Sequence, residues 1–125
     1  MTDPRHQLGL DAEDAAARWL AGAGWHILAR RWRVPEGELD IVALDGSGTL
    51  VAIEVRARST SHAGTALESV DHRRVRRLRH ALARYAGELA PAHAETRLDL
   101  VTMRVVQTDA GPRWAAARLE GIDAW

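Results

Sequence analysis

The chain has 125 residues, 46% of them apolar and 27% charged, with zero formal net charge and no cysteine. That is the size of one domain (residues 1–125) with a single modest core, and it excludes disulfides, thiolate metal sites and a global electrostatic pull toward nucleic acid. No run approaches the roughly 18 apolar residues of a membrane span. The first residues, MTDPRHQLGLDAED, lack the basic-then-apolar order of a secretory signal, so a cytoplasmic protein without a membrane partner is expected.

In chain order, TDPRHQLGLDAEDAAARWLAGAG reads as a helix, with Asp3 before Pro4 as its N-cap and Gly24 as its stop. Leu8, Ala12, Ala15, Ala16, Trp19 and Leu20 fall on one face, with Glu13 at the edge of that stripe. WHILARRWR reads as a strand with Trp25, Ile27 and Ala29 alternating against His26, Leu28 and Arg30. VPEG breaks it. Then GELDIVALDGSGTLVAIEVRAR, residues 37–58, reads as a hairpin about a glycine-rich turn. STSHAGTALE is a loop, and SVDHRRVRRLRHALARYAGEL a long helix capped by Ser69 or Asp71. TRLDLVTMRVV is a strand, TDAGP a turn and RWAAARLE an edge strand. The order α-β-β-β-α-β-β makes an α/β domain, a mixed sheet of about five strands flanked by helices.

The hairpin places acids in apolar strands. Side chains alternate, so Glu38, Asp40, Val42 and Leu44 share one face, while Leu50, Ala52, Glu54, Arg56 and Arg58 share another. A three-residue loop Gly46-Ser47-Gly48, with Gly48 left-handed, pairs Asp45 with Thr49. It then sets Asp40 opposite Glu54 and Glu38 opposite Arg56. A two-residue loop would set Asp40 against Ile53, burying charge against an aliphatic. Two adjacent carboxylates repel unless something positive lies between them. A hard divalent cation, Mg²⁺ or Mn²⁺, suits such oxygen donors, with Glu38 and Glu13 as further ligands. The competing reading is an Asp40–Arg56 or Glu54–Arg56 ion pair on an exposed sheet face.

All 17 basic residues are Arg, and residues 56–85 hold eight of them against Glu68 and Asp71. In the second long helix Val75, Leu78, Leu82 and Tyr85 form the buried stripe. Arg73, Arg76, Arg77, His80 and Arg84 lie opposite, with Arg74 and Arg79 on the flanks. A basic helix beside an acid cluster suits a phosphodiester backbone, DNA above all. A solvated face in an arginine-rich composition would look the same. Trp32 is read as a core residue.

The ordered segments LGLDAEDAAARWL, GWHILARRWR, GELDIVALD, LVAIEVRAR, GTALESVDHRRVRRL, RLDLVTM and IDAW resemble the bacterial YraN family of nuclease-like proteins along nearly the whole chain. That family is similar to archaeal Holliday-junction resolvases and to the PD-(D/E)xK restriction-endonuclease superfamily. The resemblance implies a restriction-endonuclease-like core and a Mg²⁺ or Mn²⁺ site. Glu13 matches the acid of the first helix, Asp40 the acid of the GELD strand and Glu54 the acid of the E-x-K element. Glu38 matches the acid of the family's Gly-Glu-Ile-Asp stretch. Arg58, Arg73, Arg74, Arg76 and Arg77 are the expected nucleic-acid contacts. A homodimer is the partner arrangement that resolvase relatives imply, since a junction is two-fold.

This chain departs from the pattern at Arg56, where Lys is expected to position the attacking water and help it lose a proton. Arg stays protonated and cannot accept one, although it can hold a water or steady charge on the phosphate. Family members also carry Lys at the position of Arg74 and Asn near Arg31. The expected function is therefore a metal-dependent endonuclease of branched or single-stranded DNA, with Asp40, Glu54 and Arg56 at its centre. The alternative is a nucleic-acid-binding protein on a nuclease fold whose turnover is weak or lost. A protein-binding scaffold is a third reading, distinguished by DNA binding that does not depend on salt.

Overall fold

Asp3 and Pro4 set where the first helix begins. The Asp3 carboxylate accepts the Arg5 N–H at 2.9 Å, and Pro4 stands in the first turn, where its missing N–H costs nothing. The helix, α1, runs Pro4–Gly22, and the chain leaves it through Gly24 at φ +94°. In the computed structural model the described residues are 3–58 and 63–124. After α1 come β1 (His26–Val34), β2 (Gly37–Leu44), β3 (Leu50–Ala57), α2 (Ala63–Glu68), α3 (His72–Glu88), β4 (Thr96–Thr108) and β5 (Gly111–Leu119). A short 3₁₀ turn, Ile122–Ala124, follows.

The five strands form one sheet in sequence order. β1–β2, β2–β3 and β4–β5 are antiparallel, whereas β3 and β4 run parallel and are joined across one face by α2 and α3. The sheet is thus mixed and covered by helices, the expected α/β class. Its central strands are buried on both sides, which is why Leu50, Val51, Ala52 and Ile53 are apolar without interruption.

One core lies between α1 and the sheet, where Ala12, Ala16 and Leu20 meet Ile41, Ile53 and Val101. The other lies between α3 and the sheet, where Leu78, Leu82 and Tyr85 meet Leu39, Leu98 and Leu100. Each fully buried Leu, Ile or Val contributes about 1.5–3 kcal/mol by leaving water. Trp32 is a core residue, packed edge-on against Tyr85 at 5.1 Å between ring centres. Asp71 caps α3 by accepting the Arg74 N–H at 2.8 Å.

Several details differ from the sequence expectation. Leu8 and Trp19 are exposed, and the alanines with Leu20 carry the α1 contact. The alternation expected for Trp25, Ile27 and Ala29 fails at a β-bulge on Leu28. Trp25 and Ile27 pack toward α1, whereas Ala29 joins Leu28 and Trp32 on the α3 side. The segment expected as a loop over 59–68 contains α2, with 59–62 outside the described residues. The last turn is shorter than TDAGP: β4 and β5 extend until Thr108 pairs with Gly111. Pro112 is accommodated because β5 is an edge strand.

Candidate functional site

The turn between β2 and β3 sets the register of the site. The Asp45 carboxylate accepts the Ser47 N–H at 2.8 Å, the Ser47 hydroxyl at 2.7 Å and the Thr49 N–H at 3.0 Å. Gly48 sits at φ +86°, where a side chain would be strained. Burial works against ionising Asp45, but these hydrogen bonds and Arg97 outweigh it and hold the carboxyl at about 2. The resulting pairs, Leu44 with Leu50 through Ile41 with Ile53, follow the register of the three-residue loop.

The ladder ends one step before the acids. Asp40 does not continue it with a backbone pair; its Oδ2 accepts the Val55 N–H at 2.9 Å. A side chain here supplies the acceptor that a strand carbonyl would otherwise provide. Glu54 lies beside it, and both are buried, at 8% and 3% exposure. Burial first, then the hydrogen bond and negative charge of Glu54, push Asp40 up to about 9. Glu54 moves the other way. Burial opposes its ionisation, but the proton shared with Asp40 and the Arg74 and Arg56 guanidiniums hold it low. Burial and mutual repulsion thus favour the proton on Asp40 and the negative charge on Glu54.

That charge is already compensated. Arg74 reaches Glu54 from α3 with Nε to Oε2 at 2.8 Å and Nη2 to Oε1 at 3.3 Å. Arg56 adds Nη2 to Oε2 at 3.2 Å, and its Nε is buried with no partner among the described residues. The Glu54–Arg56 contact anticipated as a surface ion pair is present, with its carboxylate buried. Arg74 is turned inward onto Glu54, whereas Arg73, Arg76 and Arg77 are exposed and meet no acid among the described residues. Arg58 donates to the Ser69 hydroxyl at 2.7 Å and to the Ala57 carbonyl at 3.2 Å.

Glu13 and Glu38 lie apart from this pair. The alternation of β2 breaks at Asp40: Leu39 and Val42 both pack toward α3, while Ile41 and Ala43 pack toward α1. Glu38 consequently does not share Asp40's face. It accepts from Arg33 at 2.9 Å in a cleft of about 290 Å³ that Glu13, Arg31, Arg5 and His6 also line. Glu13 accepts from Arg31 at 2.6 Å. Arg31 has φ +48°, a left-handed conformation that Asn adopts more readily than most side chains. Among the described residues no three metal-capable side chains form a group. The Glu13 charge still contributes to raising Asp40, so the cleft and the acid pair are electrostatically joined.

A third buried acid escaped the sequence reading. Asp99 is 0% exposed and accepts from Arg97 at 2.8 and 3.0 Å, Arg118 at 2.9 Å and the Gly121 N–H at 2.9 Å. Arg97 also reaches Asp45 at 3.2 Å, and its hydrogen bond with Asp99 raises its pKa further. This network ties the β2–β3 turn to the end of β5. The signal was present in RLDLVT, where Asp99 occupies a core-facing strand position.

Fold and site together define an α/β domain whose buried, proton-sharing acid pair is closed off by arginines from β3 and an arginine-rich helix. The family model described as "Uncharacterised protein family UPF0102" matches residues 12–103. A UPF0102 protein of Beutenbergia cavernae is 44% identical over 116 residues, covering 92% of each chain. One from Moorella thermoacetica is 46% identical over 103 residues, 82% of this chain and 85% of its own. Another, from Mycolicibacterium vanbaalenii, is 38% identical over 104 residues, 83% and 85% of the two chains. The chain belongs to the UPF0102 family, the YraN family of the sequence resemblance. No described helix is long and apolar enough to cross a membrane.

Proposed function

We propose that the chain is a metal-dependent endonuclease acting on DNA in the cytoplasm, on a restriction-endonuclease-like core. The observation that carries this reading is the Asp40–Glu54 pair: two carboxylates buried side by side among apolar strands, with burial and Glu54 pushing Asp40 toward its protonated form. Such a pair favours a cation in place of the proton. The donors fit Mg²⁺ or Mn²⁺, which are commonly held by one or two carboxylates, with waters and substrate phosphate completing the shell. Asp40 and Glu54 would hold the ion, with Glu13 and Glu38 in the adjoining cleft as supporting acids. Bound there, it would lower the pKa of a water and offset charge on the phosphate.

The arginines divide the remaining work. Arg56 and Arg74 carry guanidinium N–H groups suited to phosphate oxygens, and the unpartnered Nε of Arg56 is a donor in reserve. Arg73, Arg76, Arg77 and Arg58 would follow the backbone of the bound strand. Arg56 cannot take a proton from water, so its part is electrostatic. A homodimer would match a two-fold branched substrate.

One observation favours the second reading, a nucleic-acid-binding protein with weak or lost turnover. Two guanidiniums already neutralise Glu54, as a metal would. The test incubates purified protein with junction, flap and single-stranded DNA in Mg²⁺ or Mn²⁺, beside an Asp40→Asn control. Cleavage that needs the cation and disappears in the control supports the endonuclease. Cleavage that persists in the control overturns it, and salt-dependent binding without cleavage favours the second reading.

A further inference from the structure

Scattered exposed aliphatic residues are ordinary, but two of them here converge on one concavity. Leu8 of α1 and Val105 of β4 are 44% and 45% exposed and line the same groove. Met103, Ala57 and Trp114 complete its apolar wall, with Trp114 directly paired to Val105 across the β4–β5 ladder. The groove measures about 720 Å³, within the range of small-ligand sites. Its polar lining consists of two arginines, Arg5 and Arg58, and no acid.

One of those arginines joins the groove to a neighbouring cleft. Arg5 also lines the cleft that holds Glu13 and Glu38, so the two depressions share a wall at the start of α1. Arg58 follows Arg56 by two residues at the end of β3, and its Nε is buried with no partner among the described residues. An apolar wall carrying an indole, with two cations at its lining, matches the chemistry of one nucleotide in an unpaired strand. The base supplies a flat apolar face, and its flanking phosphates supply the anions.

Building on the nuclease-like reading above, we propose that this groove receives an unpaired base of the bound strand, stacked against Trp114 and Leu8, with neighbouring phosphates on Arg5 and Arg58. The site then discriminates against plain duplex, whose bases are not free to enter. A second copy of the chain is a poorer occupant, because Arg58, which meets the Ser69 hydroxyl and the Ala57 carbonyl and no acid among the described residues, would be brought into an apolar interface.

The experiment measures binding of a plain duplex and of the same duplex with a single-stranded arm containing a fluorescent base analogue. The protein is compared with Trp114→Ala, Trp114→Phe and the surface change Leu8→Gln, each checked for folding by circular dichroism. Base stacking on an aromatic predicts roughly a 5- to 100-fold loss of arm-dependent affinity in Trp114→Ala, with rescue by Trp114→Phe. Duplex affinity is expected to be unchanged, and quenching of the analogue should be seen with the parent and not with Trp114→Ala. Leu8→Gln should weaken the armed substrate alone. Equal losses for both substrates, or no quenching with the parent, overturn the proposal while leaving the nuclease-like reading intact. A change of oligomeric state in Trp114→Ala with unaltered DNA affinity makes the groove an interface between copies. Failure of the parent to bind either substrate in a salt-dependent way overturns both readings.

Discussion

Asp40 and Glu54 are neighbouring buried carboxylates, so the same isosteric amide change at each reports how the pair is charged. Asp40→Asn replaces a group that already holds the proton. Its Oδ1 can still accept the Val55 N–H, and its amide can donate to Glu54 as the shared proton does. Below about pH 4, where Asp40 is neutral in the folded and the unfolded chain alike, the expected cost is below about 1 kcal/mol, that of one neutral hydrogen bond rearranged. Glu54→Gln instead removes the charge that Arg74 and Arg56 contact at 2.8 and 3.2 Å. A hydrogen bond to a charged group is worth about 1.5–3 kcal/mol. The two guanidiniums are 36% and 29% exposed and can turn to water, which limits the penalty. A loss of about 2 kcal/mol is expected, or roughly 6–12 °C in Tm for a chain this size. Calorimetric or urea unfolding of both variants measures the difference.

The pH dependence sharpens the same test. Asp40 is raised from 3.8 to about 9, so the folded chain retains a proton that the unfolded chain releases. That contribution to stability is full below the unfolded value and is lost as pH rises toward the folded one. Asparagine has no such loss, and Asp40→Asn should gain on the parent between about pH 5 and pH 8. Equal destabilisation by the two substitutions, without that trend, would refute the shared proton and leave two separately ionised acids.

Asp45 behaves in the opposite sense. Held at about 2 against 3.8 unfolded, it stabilises the fold above about pH 4, and this is lost as pH falls toward 2. Asp45→Asn should cost about 2 kcal/mol at neutral pH and flatten the acid limb of the stability curve, read by urea unfolding across pH. Arg56→Lys should raise any cation-dependent cleavage by about tenfold or more, since lysine can share in proton transfer; an unchanged rate in single-turnover assays would place that step on another group. The double change Arg73→Gln and Arg77→Gln should weaken binding of unrelated DNA sequences alike. It should also reduce the salt slope by about 0.9 per lost duplex phosphate contact, measured by anisotropy at several salt concentrations.

Most of the fold is legible in local patterns because the strongest signals are short-range. Asp3-Pro4, the glycine turn at 46–48 and the apolar stripe of α3 each specify an element from a few neighbouring residues. The departures have non-local causes. The bulge at Leu28 is set by pairing with β2, and nothing in HILARRWR announces it. Leu8 reads as core by spacing but lies over the end of β4, where Val105 and Trp114 form a groove in place of a packed surface.

The site divides in the same way. The juxtaposition of Asp40 and Glu54 is legible because a three-residue turn fixes a register, and register is countable from sequence. Strict strand alternation puts Glu38 on the same face, and that alternation does not pass through Asp40. Once the Asp40 side chain takes the Val55 N–H, the chain need not keep its pleat, and Leu39 turns toward α3. Arg74 was harder still: on a basic helix nothing distinguishes the arginine that folds inward from those that do not. The distinction comes from Glu54, a buried charge that must be met by a cation from whatever element lies above it. On the proposed reading, a divalent ion arriving at the pair would compete with Arg74 and Arg56 for Glu54, while a phosphate would compete with Glu54 for those two arginines, so the ion pairs would set the threshold for occupancy.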